Sequence, residues 1–150
     1  MPLERAQPAM HAVWAAAREW SFSSPWGHQE SQPAKGLVDA MEFRQVKGDR
    51  AWLSPQPVDS LGIHISFNAD PAYRDQVLRE ALPALEEALA PFGPRAHWGK
   101  LGADTFDPAQ VEALYGERLK RFRALAQRHD PSGKFRNAHL RRTVFGEHME

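Results

Sequence analysis

Apolar residues recur along this chain in two periods. Met10, Val13, Trp14, Ala17 and Trp20 fall at helical spacing, and Pro8 suits the first turn of the helix they predict. Residues 21–33 are rich in Ser, Pro, Gln and Gly and read as a loop or linker. Trp20, Phe22 and Trp26 are too many aromatics for a free tail and are expected to dock on something. From Lys35 the period shortens to two. Residues 37–46 predict a strand, residues 47–50 a tight turn around Gly48, and residues 51–54 a short second strand. Ile63, Ile65 and Phe67 alternate in a third strand over 61–67.

The period then lengthens again. Asp70-Pro71 is a cap followed by proline, and opens a helix to about Ala90 with Val77, Leu78, Ala81, Leu82, Leu85, Ala88 and Leu89 inward. Pro83 lies within it and is expected to kink or split it. Residues 95–101 read as a fourth strand or an extended segment. Asp107-Pro108 repeats the helix-start signal. Val111, Leu114, Tyr115, Leu119, Phe122, Leu125 and Ala126 form the apolar face, with a break expected at Gly116. Asp130-Pro131-Ser132-Gly133 is a turn, and residues 135–145 close the chain as a short helix or coil. This order predicts an α+β fold, an antiparallel β-sheet covered by helices on one face.

Composition narrows the functional classes. The 150 residues suffice for one core, with 42% hydrophobic and 25% charged residues as in ordinary globular proteins. Nineteen basic residues balance nineteen acidic ones, which argues against nucleic acid as a partner. There is no cysteine, so disulfides and thiolate metal sites are excluded. The apolar run at residues 12–17 is too short for a membrane span and lacks a basic leader, so the expected location is the cytoplasm. His64, His97, His129 and His139 show no ligand spacing, and no metal is expected.

Strand parity places the candidate chemistry. Val38, Ala40, Glu42, Arg44 and Val46 share one face of the first strand, and His64 and Ser66 share one face of the third. A carboxylate, a guanidinium, an imidazole and a hydroxyl on one sheet face suit a ligand with several hydroxyl groups. Spacing alone favours a solvated sheet face with a surface ion pair. In His97-Trp98-Gly99-Lys100, Gly99 permits close approach of a backbone or flat ring, and Lys100 supplies a compact cation. Such a cation can stabilise negative charge appearing on a reduced ring. There is no G-x-G-x-x-G and no P-loop.

Several stretches recur together in a known family. Glu42-Phe43-Arg44, Ala51-Trp52-Leu53-Ser54-Pro55, Ile63-His64-Ile65-Ser66-Phe67, Ala90-Pro91-Phe92-Gly93, His97-Trp98-Gly99-Lys100, and the run from Asp130 to Ala138 resemble, in this order, the C-terminal region of the alditol (xylitol) and D-arabinono-1,4-lactone oxidases. These are flavoproteins of the vanillyl-alcohol oxidase class. The resemblance implies a ferredoxin-like cap over FAD, a polyol or sugar-lactone substrate, and hydride transfer from carbon to flavin with oxygen as the expected acceptor. It implies substrate contacts from Glu42, Arg44, His64 and Ser66, the last where threonine is usual. It places Lys100 beside flavin and reacting hydroxyl, and His97 and Asn137 in motifs that reach the flavin. On this reading Lys100, Glu42 and Arg44 are the catalytic set.

The expected layout is an N-terminal helix and linker over 1–34 without the resemblance, a cap over 35–146 and a tail over 147–150. FAD would be held mainly by a domain absent from this chain, which alone is expected to be inactive. A separate FAD-binding chain or a homo-oligomer is the partner this leaves open. The alternative is a non-enzymatic ligand- or partner-binding module that keeps the cap fold.

Overall fold

A computed structural model of the chain describes residues 1–20, 36–102 and 107–147. Its fold is α+β, with a two-stranded antiparallel sheet and helices packed against it. Strand β1 is Val38–Val46 and strand β2 is Ser60–Phe67. They pair antiparallel, with Glu42 opposite His64, Phe43 opposite Ile63 and Arg44 opposite Gly62.

The helices are α1 (Ala6–Ala17), α2 (Arg74–Gln76), α3 (Leu82–Leu89), α4 (Pro108–His129) and α5 (Ala138–Thr143). Two apolar clusters hold them. In the first, Ala9, Val13 and Ala17 of α1 meet Leu85 and Leu89 of α3, with Val77, Ala81, Leu37 and Val38. Met41, Phe43, Ile63, Ile65 and Phe67 cover this cluster from the sheet and are only half-buried. In the second, Val111, Tyr115 and Leu119 of α4 meet Val144, with Leu53, Trp98 and Leu140 around them.

The helix expected from Asp70 to Ala90 exists in pieces. Asp70 caps it by accepting from the Ala72 amide, as its sequence signal requires. A π turn over Val77–Ala81 then interrupts it ahead of α3. Pro83 explains the break. It lacks an amide hydrogen, and its ring would collide with the carbonyl four residues earlier in a regular helix. In the wider turn the Leu82 amide reaches back to the Val77 carbonyl. The break at Gly116 is also found, with φ 47° and ψ −124° inside α4, a conformation open to glycine.

Some expectations are corrected. Residues 51–54 form no strand, and of the two alternatives for residues 95–101 the strand is the one not found; both segments are held by side-chain hydrogen bonds rather than a ladder. Trp14 is exposed, not inward, because the buried stripe of α1 runs through Ala9, Val13 and Ala17. Trp20 does dock, with its ring in the first cluster and its carbonyl accepting from the Leu37 and Val38 amides at 2.7 and 2.8 Å. Phe22 and Trp26 lie outside the described residues. Val38 is buried with the core and does not share the face of Glu42. A bulge between Val38 and Ala40 inserts one residue and inverts the alternation there.

Gly48 does not close a tight hairpin either. Residues 47–59 form a longer connection tied by its own polar groups. The Asp49 carboxylate accepts from the Ser54 hydroxyl and the Ala51 amide, both at 2.8 Å. The Asp59 carboxylate accepts from the Gly48 amide at 2.9 Å and Lys47 Nζ at 3.0 Å. These bonds hold both carboxyls below the usual carboxylate range, chiefly through the Ser54 hydroxyl for Asp49 and the Gly48 amide for Asp59. A group with a depressed folded pKa stabilises the fold above its unfolded pKa and loses that contribution as pH falls through the folded value. The melting temperature is therefore expected to decline below about pH 4, and to decline less in Asp59→Asn. Identical acid profiles for the two proteins in differential scanning calorimetry would contradict this account.

Candidate functional site

The polar face of the sheet gathers three of the predicted groups. Arg44 donates to the Glu42 carboxylate at 2.5 Å, and His64 Nδ1 lies 3.7 Å from the same oxygen. The pairing of β1 with β2 sets this geometry, since Glu42 stands directly across from His64. Ser66 is two residues further along β2, opposite Ala40, so it lies on the same face. Side-chain exposure is 72% for Arg44, 49% for Glu42 and 50% for His64. An ion pair this exposed contributes little to stability. The carboxylate accepts, the guanidinium donates, and the imidazole can do either.

The His97–Lys100 segment is a separate construction. The Lys100 amide bonds to the His97 carbonyl at 2.9 Å, and the Gly99 amide donates to His97 Nδ1 at 3.1 Å. Trp98 anchors the turn, donating from its indole to the Leu53 carbonyl at 2.8 Å and lying 5.3 Å from the Tyr115 ring. Lys100 and His97 are exposed. No ion pair or hydrogen bond joins Lys100 to Glu42 or Arg44. The structure thus brings Glu42, Arg44, His64 and Ser66 onto one face, and holds His97 and Lys100 on a turn anchored in the other cluster.

Comparisons with known proteins give the family. The sequence matches the family model described as D-arabinono-1,4-lactone oxidase over residues 1–143. The chain belongs to this family. An alditol oxidase of Streptomyces sp. (strain IKD472 / FERM P-14339) is 40% identical to it over 111 residues, covering 73% of this chain and 25% of that protein. The chain therefore spans about a quarter of the length of the curated relative it matches. Within this lactone-oxidase-family chain the match takes in α1 as well as the sheet and α4.

The flavin cofactor implied by the sequence resemblance can be weighed against the residues present. Its diphosphate calls for clustered backbone amides, such as an open helix N-terminus. Here the helix starts after Asp70, Asp107 and Asn137 are closed by those side chains, which accept from the amides of Ala72, Ala109 and Gln110, and Leu140. Two of the three caps are carboxylates and repel an anion. These three helix starts therefore offer no open amides to the diphosphate end of the cofactor. Nor are any three of the chain's described His, Asp and Glu side chains placed to hold a metal ion. None of its described helices is long and apolar enough to cross a membrane.

Asn137 acts as a helix cap. Its side chain accepts from the Leu140 amide at 2.9 Å. The surrounding motif is organised around charge. The Asp130 carboxylate receives the Lys134 and Phe135 amides. Arg136 binds Glu147 at 3.1 Å and Gln127 at 2.7 Å, with its guanidinium 3.9 Å over the Phe145 ring. Arg141 holds the other Glu147 oxygen at 2.8 Å, and the two arginines keep the Glu147 carboxyl below its usual range, Arg141 first.

Sequence reasoning gave no role to Arg95. It donates to the Ser54 carbonyl at 3.2 Å and the Leu114 carbonyl at 2.6 Å, and stacks 4.5 Å from the Tyr115 ring centre. It clamps the segment leading to His97 onto α4. No periodicity marks such a residue, because its partners are backbone carbonyls far away in sequence.

Proposed function

We propose that this chain is the substrate-side portion of an FAD-dependent oxidoreductase that oxidises sugar alcohols or aldonolactones at a CH–OH carbon. The observation that carries the proposal is the Glu42–Arg44–His64 group, assembled by strand pairing on an exposed face of a lactone-oxidase-family chain. The Glu42 carboxylate accepts hydrogen bonds from substrate hydroxyls. Arg44 and His64 donate to oxygens of the polyol or lactone, and Ser66 adds a hydroxyl that can do both. Vicinal hydroxyls of a polyol present donors and acceptors at short intervals, which matches this alternation. Lys100 and His97, on their own turn, face the cofactor side in this reading. The cofactor itself is held by protein outside these residues, and the chain alone is inactive as an oxidase.

The test is ligand titration of the chain without added FAD, by calorimetry or amide chemical shifts, using an alditol series and an aldonolactone. Polyol binding is expected, weakened about tenfold or more by Glu42→Gln and by Arg44→Ala, since a hydrogen bond to a charged group is worth about 1.5–3 kcal/mol. Peroxide formation with added FAD and polyol is expected to be negligible. Binding that is indifferent to both substitutions would remove the substrate role from this face. Turnover by the isolated chain would refute its incapacity.

A further inference from the structure

We propose that Arg95 is a positioning residue: by bonding at once to the β1–β2 connection and to α4, it fixes the His97–Lys100 turn at one distance from the Glu42–Arg44–His64 face. Its role rests on the proposed function, in which face and turn serve one reaction. The two parts of that site are built on different cores. The face lies on the sheet that covers the cluster of α1 and α3, whereas Trp98 anchors the turn in the cluster of α4. No residue belongs to both clusters. Whatever joins these cores therefore sets the distance across the site.

Arg95 is half-buried and stands two residues ahead of His97. Its Nη1 donates to the Ser54 carbonyl, its Nη2 donates to the Leu114 carbonyl, and its guanidinium lies over the Tyr115 ring. Each acceptor is itself held. Ser54 is 4% exposed, and its hydroxyl donates to Asp49 and accepts from the Gln56 amide at 2.9 Å. The neighbouring Leu53 carbonyl takes the Trp98 indole, so residues 53 and 54 form one socket for two donors from the incoming segment. That socket belongs to the connection between the end of β1 and the start of β2, the strands that carry Glu42 and His64. On the α4 side, Gly116 leaves helical geometry two residues after Leu114. A break of this kind withdraws amide donors from carbonyls of the preceding turn, and an inserted side chain can replace them. Arg95 is such a side chain, and Tyr115 presents its ring both to the guanidinium and to Trp98. A guanidinium suits this task and an ammonium does not. Its nitrogens form a rigid plane that can address two carbonyls on separate segments while a ring stacks on it. Lysine is a point donor on a flexible stem.

The chain has no cysteine, so Gln45→Cys on β1 and Leu101→Cys beside Lys100 admit two spin labels at exposed positions and no others. Double electron–electron resonance of the full chain then reads the distance across the site. A control pair, Gln45→Cys with Arg79→Cys, reads a distance on the sheet's own core, since Arg79 lies between Val77 and Ala81. One narrow distribution is expected for each pair in the parent. In Arg95→Ala and in Arg95→Lys, the first pair is expected to lose its narrow distribution and the control pair to keep it. Loss in both pairs, or an unfolded variant by circular dichroism, would make Arg95 a general support and overturn the proposal. So would a broad first pair in the parent, a first pair unmoved by alanine, or one that lysine keeps narrow. The readout is a distance without ligand, so its outcome is separate from polyol binding at Glu42 and Arg44.

Discussion

Leu85→Ala is expected to lower unfolding free energy by about 2–5 kcal/mol. Leu85 is 1% exposed and stands where α3 meets α1 and the sheet. Its neighbours Ala9, Val13, Ala81 and Leu89 are small or held on short helices. Few of them can move inward to fill the vacated volume, so the cavity cost adds to the lost transfer free energy. A domain of this size has about 5–15 kcal/mol in total, so the variant should be marginal at room temperature. Urea unfolding measures it, through a lower midpoint at unchanged slope. A loss under about 1 kcal/mol would mean that α3 does not anchor the sheet. The polar face would then lack the rigid backing that sets Glu42 opposite His64.

The second large effect is expected at Gly48, for a different reason. A Cβ placed there would lie 2.5 Å from the Val58 carbonyl carbon and 2.6 Å from its Cα. Both are backbone atoms, so no side chain can swing aside. Gly48→Ala must push the two ends of the connection apart, at a cost of about 1–3 kcal/mol. It also strains the bond from the Gly48 amide to Asp59, which holds that carboxyl below its usual range. Gly62→Ala makes a useful control. There the nearest contact is 3.5 Å from Val46 Cγ2, an ordinary van der Waals distance. Chemical denaturation of the two variants should separate them clearly. Equal stabilities would show that the connection is free to open at Gly48.

The candidate site was legible to unequal degrees. Strand parity placed Glu42 with Arg44 and His64 with Ser66, because alternation is a property of any extended backbone. That the two pairs meet required the register, Glu42 against His64, which residues far apart in the chain decide. The same parity misplaced Val38, since a bulge leaves no mark in composition. Lys100 and His97 stood out as residue types. Their anchoring by Trp98, Leu53 and Tyr115 did not, because it rests on packing between separate segments. Asn137 stood out through its motif, and the structure gives it a cap.

The sequence by itself determined where helices start and break. Asp70-Pro71, Asp107-Pro108, Pro83 and Gly116 act through local sterics and through amides a few residues away. It determined the alternating faces of β2 and of β1 beyond its bulge, and the absence of disulfides. Tertiary structure decided the rest. It made residues 47–59 a tied connection instead of a hairpin, left residues 51–54 and 95–101 out of the sheet, and turned α1 so that Trp14 faces outward. Those outcomes depend on which distant surfaces are available to be buried, and on which distant carbonyls can receive a donor such as Arg95. Local periodicity contains neither quantity.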